Sequence, residues 1–111
     1  MGCLRLIKDG KAAISIPLLP SYEIRIGRDE DQNEVVIFDP SISRSHARIF
    51  FEKGSFYIQD LDSRYGTFVN NTRIEGATLL QDQAQILIGS TTLQYADRET
   101  SGPRRGLVTD E

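Results

Sequence analysis

The chain has 111 residues, enough for one domain that buries roughly 60–65% of its unfolded surface, and its net charge of −3 argues against nucleic-acid binding, which depends on a basic face. No apolar run approaches the roughly 18 residues of a membrane span, and a single cysteine, Cys3, excludes an internal disulfide. We therefore expect an intracellular protein that contacts neither membranes nor nucleic acid.

Short apolar alternations separated by turn residues follow one another along most of the chain. Residues 3–18 read as two strands joined at Asp9-Gly10, a pair typical of a type I′ turn, and residues 50–60 read as a hairpin around "EKGS". No stretch shows convincing helical periodicity. The pattern predicts an all-β sandwich of about eleven short, mostly antiparallel strands. Its further strands are "YEIRI", "EVVIF", "HARIFF", "FYIQDL", "TFVN", "TRI", "QILIG" and "TTLQY".

The composition predicts a domain at residues 1–96 and a tail at residues 97–111. The tail mixes charged residues with glycine and proline and has no periodic apolar face. Such a segment buries too little apolar surface to offset its ordering entropy. We expect it to be flexible, or to be the start of a linker.

Residues 29–33, "DEDQN", begin like a calcium-binding EF-hand loop. That loop needs glycine at its sixth position and glutamate at its twelfth, where this chain has Glu34 and Pro40. One histidine and one distant cysteine also make no metal cluster. The sequence therefore predicts neither a metal site nor a cofactor.

The only histidine, His46, lies in "SISRSHARIF" at residues 41–50. In a hydrolase, Ser43 or Ser45 would be the nucleophile and His46 the base, with an acid such as Asp60 orienting the imidazole. No G-x-S-x-G turn accompanies them. A histidine that ties a loop down by hydrogen bonds is the better interpretation, and we predict that the protein is not an enzyme.

Three arginines, Arg28, Arg44 and Arg64, lie in turns beside strands, each next to glycine or serine. If these turns meet at one end of the sandwich, they form a cationic pocket with hydroxyl and backbone donors. A phosphate group, with about two negative charges and three acceptor oxygens, suits such a pocket. The planar fork of arginine matches it better than lysine does.

Three segments in order and spacing resemble the forkhead-associated (FHA) domain: "IGRD" at 26–29, "SRSH" at 43–46 and "DLDSRYGTFVN" at 60–70. The likeness extends over roughly residues 3–96. It implies a sandwich of about eleven strands whose loops at one end bind phosphothreonine-containing segments of partner proteins.

The resemblance also implies roles for individual residues. Arg28 should bond the phosphate and nearby backbone, Ser43 should offer its hydroxyl to a phosphate oxygen, and Arg44 should reach the phosphate or the peptide backbone. Arg64 and Tyr65 complete the predicted peptide-binding set. The residues expected to shape the loops are Gly27, His46, Gly66 and Asn70.

Two positions depart from the family pattern. Tyr65 stands where the family often has an asparagine whose amide grips the peptide main chain, and Arg64 stands where it often has threonine or serine. The resemblance therefore leaves open which residues are preferred after the phosphothreonine. The alternative function is that of a degenerate FHA-like sandwich that binds an unphosphorylated protein surface, which the presence of both Arg28 and Ser43 disfavours.

Overall fold

A computed structural model describes residues 2–97, and the regular elements within this range are all β-strands. No helix long and apolar enough to cross a bilayer is present among these residues. The strands are β1 Gly2–Lys8, β2 Lys11–Leu18, β3 Ile24–Gly27, β4 Val35–Val36, β5 Ala47–Glu52, β6 Ser55–Asp60, β7 Thr67–Val69, β8 Thr72–Arg73, β9 Thr78–Leu79, β10 Gln85–Ile88 and β11 Thr91–Asp97.

The strands form two sheets that pack face to face, so the predicted sandwich is confirmed. One sheet has six strands in the order β2-β1-β11-β10-β7-β8, and the other has five in the order β4-β3-β5-β6-β9. All neighbours pair antiparallel except β3 and β4, which pair parallel. Pro17 lies in the edge strand β2, the position in a sheet where a residue without an N–H is tolerated.

Tight two-residue turns set the register of the hairpins. Asp9 and Gly10 both have positive φ (55° and 77°), as a type I′ turn requires, and so do Lys53 and Gly54 (52° and 82°) between β5 and β6. The first of these turns was predicted from the Asp-Gly pair. A third pair with positive φ, Asn70 and Asn71, joins β7 to β8.

The core lies between the sheets and follows the period-2 alternation of the strands. In β10, Ile86 and Ile88 are buried while Gln85 and Leu87 are exposed. The inward-facing residues of both sheets form one apolar cluster. Its fully buried members include Leu4, Leu18, Ile26, Ile42, Ile49, Ile58, Ile86, Ile88 and Leu93.

Some predicted boundaries differ from the structure. The apolar run "EVVIF" predicted a strand over residues 34–38, but β4 contains Val35 and Val36 alone, because the chain then turns to enter the long segment before β5. Strand β9 was not predicted, since two paired residues leave no readable alternation. Strand β11 continues to Asp97, which pairs with Gly2, one residue past the predicted boundary of the domain. The rest of the predicted tail, residues 98–111, lies outside the described residues.

Candidate functional site

Three loops meet at one end of the sandwich: loop A (residues 28–34, between β3 and β4), loop B (residues 37–46, between β4 and β5) and loop C (residues 61–66, between β6 and β7). The backbone amides of Arg28 and Asp29 donate to the carbonyls of Ser43 and Arg44, at 3.0 and 3.3 Å. The amide of Arg64 donates to Ser43 Oγ at 3.0 Å. Ser43 therefore lies where all three loops are joined.

His46 fixes loop B to loop C from inside the protein. Its side chain is fully buried, and Nδ1 accepts a hydrogen bond from the Ser43 amide at 3.1 Å. The ring hydrogen therefore lies on Nε2, which donates to the carbonyl of Gly66 at 2.9 Å. Its backbone amide also donates to Ile26 in β3, at 2.9 Å. The imidazole thus sets the position of Ser43 relative to loop C.

Loop C is held closed by the carboxylate of Asp60, the last residue of β6. Asp60 accepts hydrogen bonds from the Ser63 amide at 2.9 Å, the Ser63 hydroxyl at 2.5 Å and the Thr67 hydroxyl at 2.6 Å. Partial burial raises the pKa of Asp60, but the hydrogen bonds from Ser63 and Thr67 together bring the pKa below its usual range. Gly66 closes the loop with φ of 90°, and its amide donates to the Ser63 hydroxyl.

Gly27 allows loop A and loop B to approach each other. A Cβ atom at this position would lie 2.1 Å from the carbonyl oxygen of Arg44, a backbone atom that no rotamer change can move away. The same carbonyl accepts hydrogen bonds from the Asp29 amide and from the side-chain amide of Asn33, the latter at 2.6 Å. The Gly27-Arg28 pair therefore places an arginine directly after the closest approach of the two loops.

Asn33 is a structural residue of the site that the sequence analysis missed. Its Nδ2 donates both to the Asp29 carbonyl at 2.7 Å and to the Arg44 carbonyl, so it joins the two ends of loop A to loop B. Its Oδ1 is buried without a hydrogen-bond partner among residues 2–97. The acidic residues around Asn33 do not indicate this role, and the one signal in the sequence is an amide among carboxylates.

The guanidinium groups at this end differ from the two in the strands of the five-stranded sheet. Arg25 and Arg48 both bind Glu23, at 3.1 and 2.7 Å. Arg28, Arg44 and Arg64 bind no carboxylate among the described residues, although all three side chains are exposed. Three positive charges without carboxylate partners among residues 2–97 therefore surround the junction of the loops.

Arg28 and Ser43 are oriented by bonds that leave further donors free. Arg28 Nε donates to the Ile42 carbonyl at 2.9 Å, and its two terminal nitrogens have no acceptor among residues 2–97. Ser43 Oγ accepts from the Arg64 amide, and its own hydrogen has no acceptor in this part of the chain. These donors are available to an anion that lies over the junction.

The remaining predicted residues lie at the edge of the site or outside it. The Arg64 guanidinium lies 5.4 Å from the centroid of the Tyr65 ring, and that ring is about half exposed, at 54%. Asn70 does not belong to loop C: it lies in the turn between β7 and β8. There it exchanges hydrogen bonds with Gln85 of β10, at 2.8 and 2.9 Å. Asn70 thus fixes the far end of β7.

The arrangement around His46 is not that of a hydrolase. The imidazole nitrogen that faces Ser43 accepts from the backbone amide and not from the hydroxyl, and the Ser45 hydroxyl donates to Gln32 instead. Asp60 Oδ1 lies 4.0 Å from His46 Nε2, whose hydrogen goes to Gly66. Residues 2–97 also contain no cluster of acidic, histidine or cysteine side chains suited to a metal ion.

A family model for the FHA domain matches residues 24–89, which include all three loops. The chain belongs to the FHA family. FHA domains are interaction modules that recognise phosphopeptides on other proteins, and this agrees with the family resemblance in the sequence.

Individual relatives support the assignment. The ABC transporter ATP-binding/permease protein Rv1747 of Mycobacterium tuberculosis is 42% identical over 79 residues, which are 71% of this chain and 9% of that protein. The chain spans 19% and 16% of two further curated relatives, so it corresponds to one part of these longer proteins.

Two solved FHA domains share the fold. The solution structure of the FHA domain of an Arabidopsis thaliana hypothetical protein has a TM-score of 0.81 and 31% identity, covering 93% of this chain and 88% of that one. A second, from a structural and functional analysis of phosphothreonine-dependent FHA domain interactions, has a TM-score of 0.76 and 26% identity. It covers 87% of this chain and 96% of that one.

Replacement of His46 by alanine should primarily lower stability. The change leaves the Ser43 amide and the Gly66 carbonyl without their buried partner, and each lost hydrogen bond costs about 1–3 kcal/mol. Urea titration should show this loss in the free energy of unfolding, with ligand affinity falling as a consequence. A variant that unfolds like the wild type yet binds nothing would instead make His46 a direct ligand contact.

Stability should also fall in acid because of Asp60. The pKa of Asp60 is lower in the folded protein than in the unfolded chain, so its ionised carboxylate stabilises the fold. This stabilisation is fully present above about pH 4 and is lost as the pH falls through the folded pKa. In Asp60→Asn, the free energy of unfolding should be lower at pH 6 but should depend less on pH below about pH 4. Parallel urea titrations of both proteins test this, and equal slopes against pH would contradict it.

Proposed function

We propose that this FHA domain binds phosphothreonine-containing segments of partner proteins and has no catalytic activity of its own. The observation that carries the proposal is the group of three arginines without carboxylate partners around Ser43, in a chain whose net charge is negative. A phosphate group would supply the missing anion. The matching fold from the analysis of phosphothreonine-dependent FHA interactions supports the same ligand.

Each donor is suited to a different part of the phosphate. The two terminal nitrogens of Arg28 offer the planar fork that pairs with two phosphate oxygens. The Ser43 hydroxyl offers a single short hydrogen bond, and its direction is set by the Arg64 amide on the other side of the oxygen. Arg44 and Arg64 add positive charge on either side, within reach of the phosphate or of the peptide backbone.

The alternative is a site that binds an unphosphorylated protein surface. It would not explain why three guanidinium groups remain without carboxylates while the neighbouring Arg25 and Arg48 have one. Binding to nucleic acid is not favoured either, because the chain is acidic overall. We further propose that the domain acts inside the cell.

Substitution of Arg28 by alanine should weaken binding of a phosphothreonine peptide roughly tenfold to a hundredfold, since a charge-assisted hydrogen bond contributes about 1.5–3 kcal/mol. Arg28→Lys should not restore full affinity, because an ammonium group cannot form the two parallel bonds of the guanidinium. Calorimetric titration with phosphorylated and unphosphorylated forms of one peptide measures both effects.

Arg25→Ala is the matched control for this test. Like Arg28→Ala, this substitution removes one positive charge. Arg25 lies in β3, three residues before Arg28, but its guanidinium binds Glu23. Arg25→Ala should change the affinity little. Equal binding of phosphorylated and unphosphorylated peptide by the wild type would instead support the alternative function, binding of an unphosphorylated protein surface.

Phosphothreonine should be preferred over phosphoserine in otherwise identical peptides. The extra methyl contributes about 0.8 kcal/mol when it is buried, and it restricts χ1 so that less entropy is lost on binding. Together these effects predict a preference on the order of tenfold. Fluorescence anisotropy with paired peptides measures the ratio, and equal affinities would contradict the prediction.

A further inference from the structure

Phe38 is the most exposed large hydrophobic side chain among residues 2–97, at 78%. It lies in loop B directly after Ile37, which packs against the core, but Phe38 itself belongs neither to the core cluster nor to the side chains packed against it. Hydrophobic burial therefore does not explain a phenyl group at this position. Its surroundings point to a ligand instead.

The backbone on both sides of Phe38 is fixed. The Ile37 amide donates to the Gly27 carbonyl, and the Asp39 amide donates to the Ile37 carbonyl, both at 3.0 Å. The Asp39 carbonyl in turn accepts from the Ile42 amide at 2.9 Å. Residues before and after the phenyl group are thus tied to β3 and to the rest of loop B.

The Asp39 carboxylate adds a second anchor, to the opposite sheet. It accepts hydrogen bonds from the amide and hydroxyl of Ser41, at 2.9 and 2.7 Å. It also accepts from the hydroxyl of Ser90, in the turn between β10 and β11, and from that of Thr91 at 3.3 Å. Loop B therefore presents the Phe38 ring from a rigid base, and a ligand that packs on it immobilises few additional bonds.

The ring also borders the proposed phosphate site. Phe38, Pro40 and Arg28 line one open cleft, which therefore combines a cationic group with two apolar side chains. Because Arg28 belongs to both, a peptide whose phosphate is bound by Arg28 would have its neighbouring residues close to this cleft. A second copy of the chain is a poorer occupant, because a stable dimer buries about 800 Å² on each partner, far more than one phenyl group and one proline offer.

We propose that Phe38 and Pro40 form a specificity subsite for an apolar peptide side chain that flanks the phosphothreonine. This inference rests on the proposed function and deepens it. The phosphate supplies a contact that every phosphothreonine peptide makes, and the subsite selects among such peptides. It acts at loop B, whereas the departures from the family pattern at Arg64 and Tyr65 lie on loop C.

A library of phosphothreonine peptides with varied flanking positions, screened on the full chain, identifies the preferred apolar residue and its position. Two peptides then suffice: the preferred one, and one with alanine at that position. Phe38→Ala should weaken binding of the apolar peptide about threefold to tenfold and leave binding of the alanine peptide nearly unchanged. Phe38→Leu should keep most of the difference in affinity between the two peptides, because leucine retains an apolar surface.

Tyr22→Ala is the matched control, since it removes another exposed aromatic ring, 62% exposed, at the other end of β3. It should leave both affinities unchanged. An unchanged library profile in Phe38→Ala, or an equal loss for both peptides, overturns the subsite while the proposed function stands. Wild-type protein that binds the unphosphorylated peptides equally well overturns the proposed function itself. A dimer in sedimentation analysis that Phe38→Ala dissociates would assign the ring to self-association and overturn the subsite.

Discussion

The imidazole of His46 holds loop B against loop C, and the arrangement of the site depends on this contact. Hydrogen bonds from a fully buried ring are strong and directional because no water competes for either nitrogen. Nδ1 accepts a hydrogen bond from the amide of Ser43, and Nε2 donates one to the carbonyl of Gly66. The hydrogen bonds of the imidazole therefore hold the two loops in one relative position, and the donors of the proposed phosphate site are already in place.

The distribution of charge follows from which carboxylates are already engaged. Glu23 binds two arginines on the outer face of the five-stranded sheet, and Asp60 accepts a hydrogen bond from the Ser63 hydroxyl in loop C. Asp39 accepts hydrogen bonds from serine hydroxyls in loop B and in the turn between β10 and β11. Hydrogen bonds from Ser90 and Ser41 hold the pKa of Asp39 far below its usual range, so it remains ionised while serving the backbone. These three carboxylates are therefore engaged by other groups and do not bind the arginines of the site.

The sequence predicted the strands better than it predicted the hydrogen bonds that orient the three loops. Alternating apolar residues and turn pairs such as Asp9-Gly10 are local signals, and they were readable. The functions of Asn33 and Asp39 depend on partners that the fold brings near, Arg44 for the first and Ser90 for the second. No spacing in the sequence indicates such contacts.

The same limit explains the individual differences. The family resemblance implies that Asn70 helps to shape the third loop, and the structure places it in the turn between β7 and β8, where it bonds Gln85 of β10. Phe38 was assigned to a strand because it ends an apolar run, whereas pairing with β3 stops at Val36. Apolar character alone does not show whether a side chain faces the core or a ligand.

The pairing of Gly2 with Asp97 has a consequence for how the domain is used within longer proteins. Both ends of the folded unit lie side by side, next to the turn between β5 and β6 and at the pole opposite the three loops. Because Gly2 and Asp97 lie away from the loops, connections to a host protein at these two points need not cover the proposed ligand surface. A connection at these two points would set the local concentration of the domain near a partner protein, and the loops would separately determine which partner is bound.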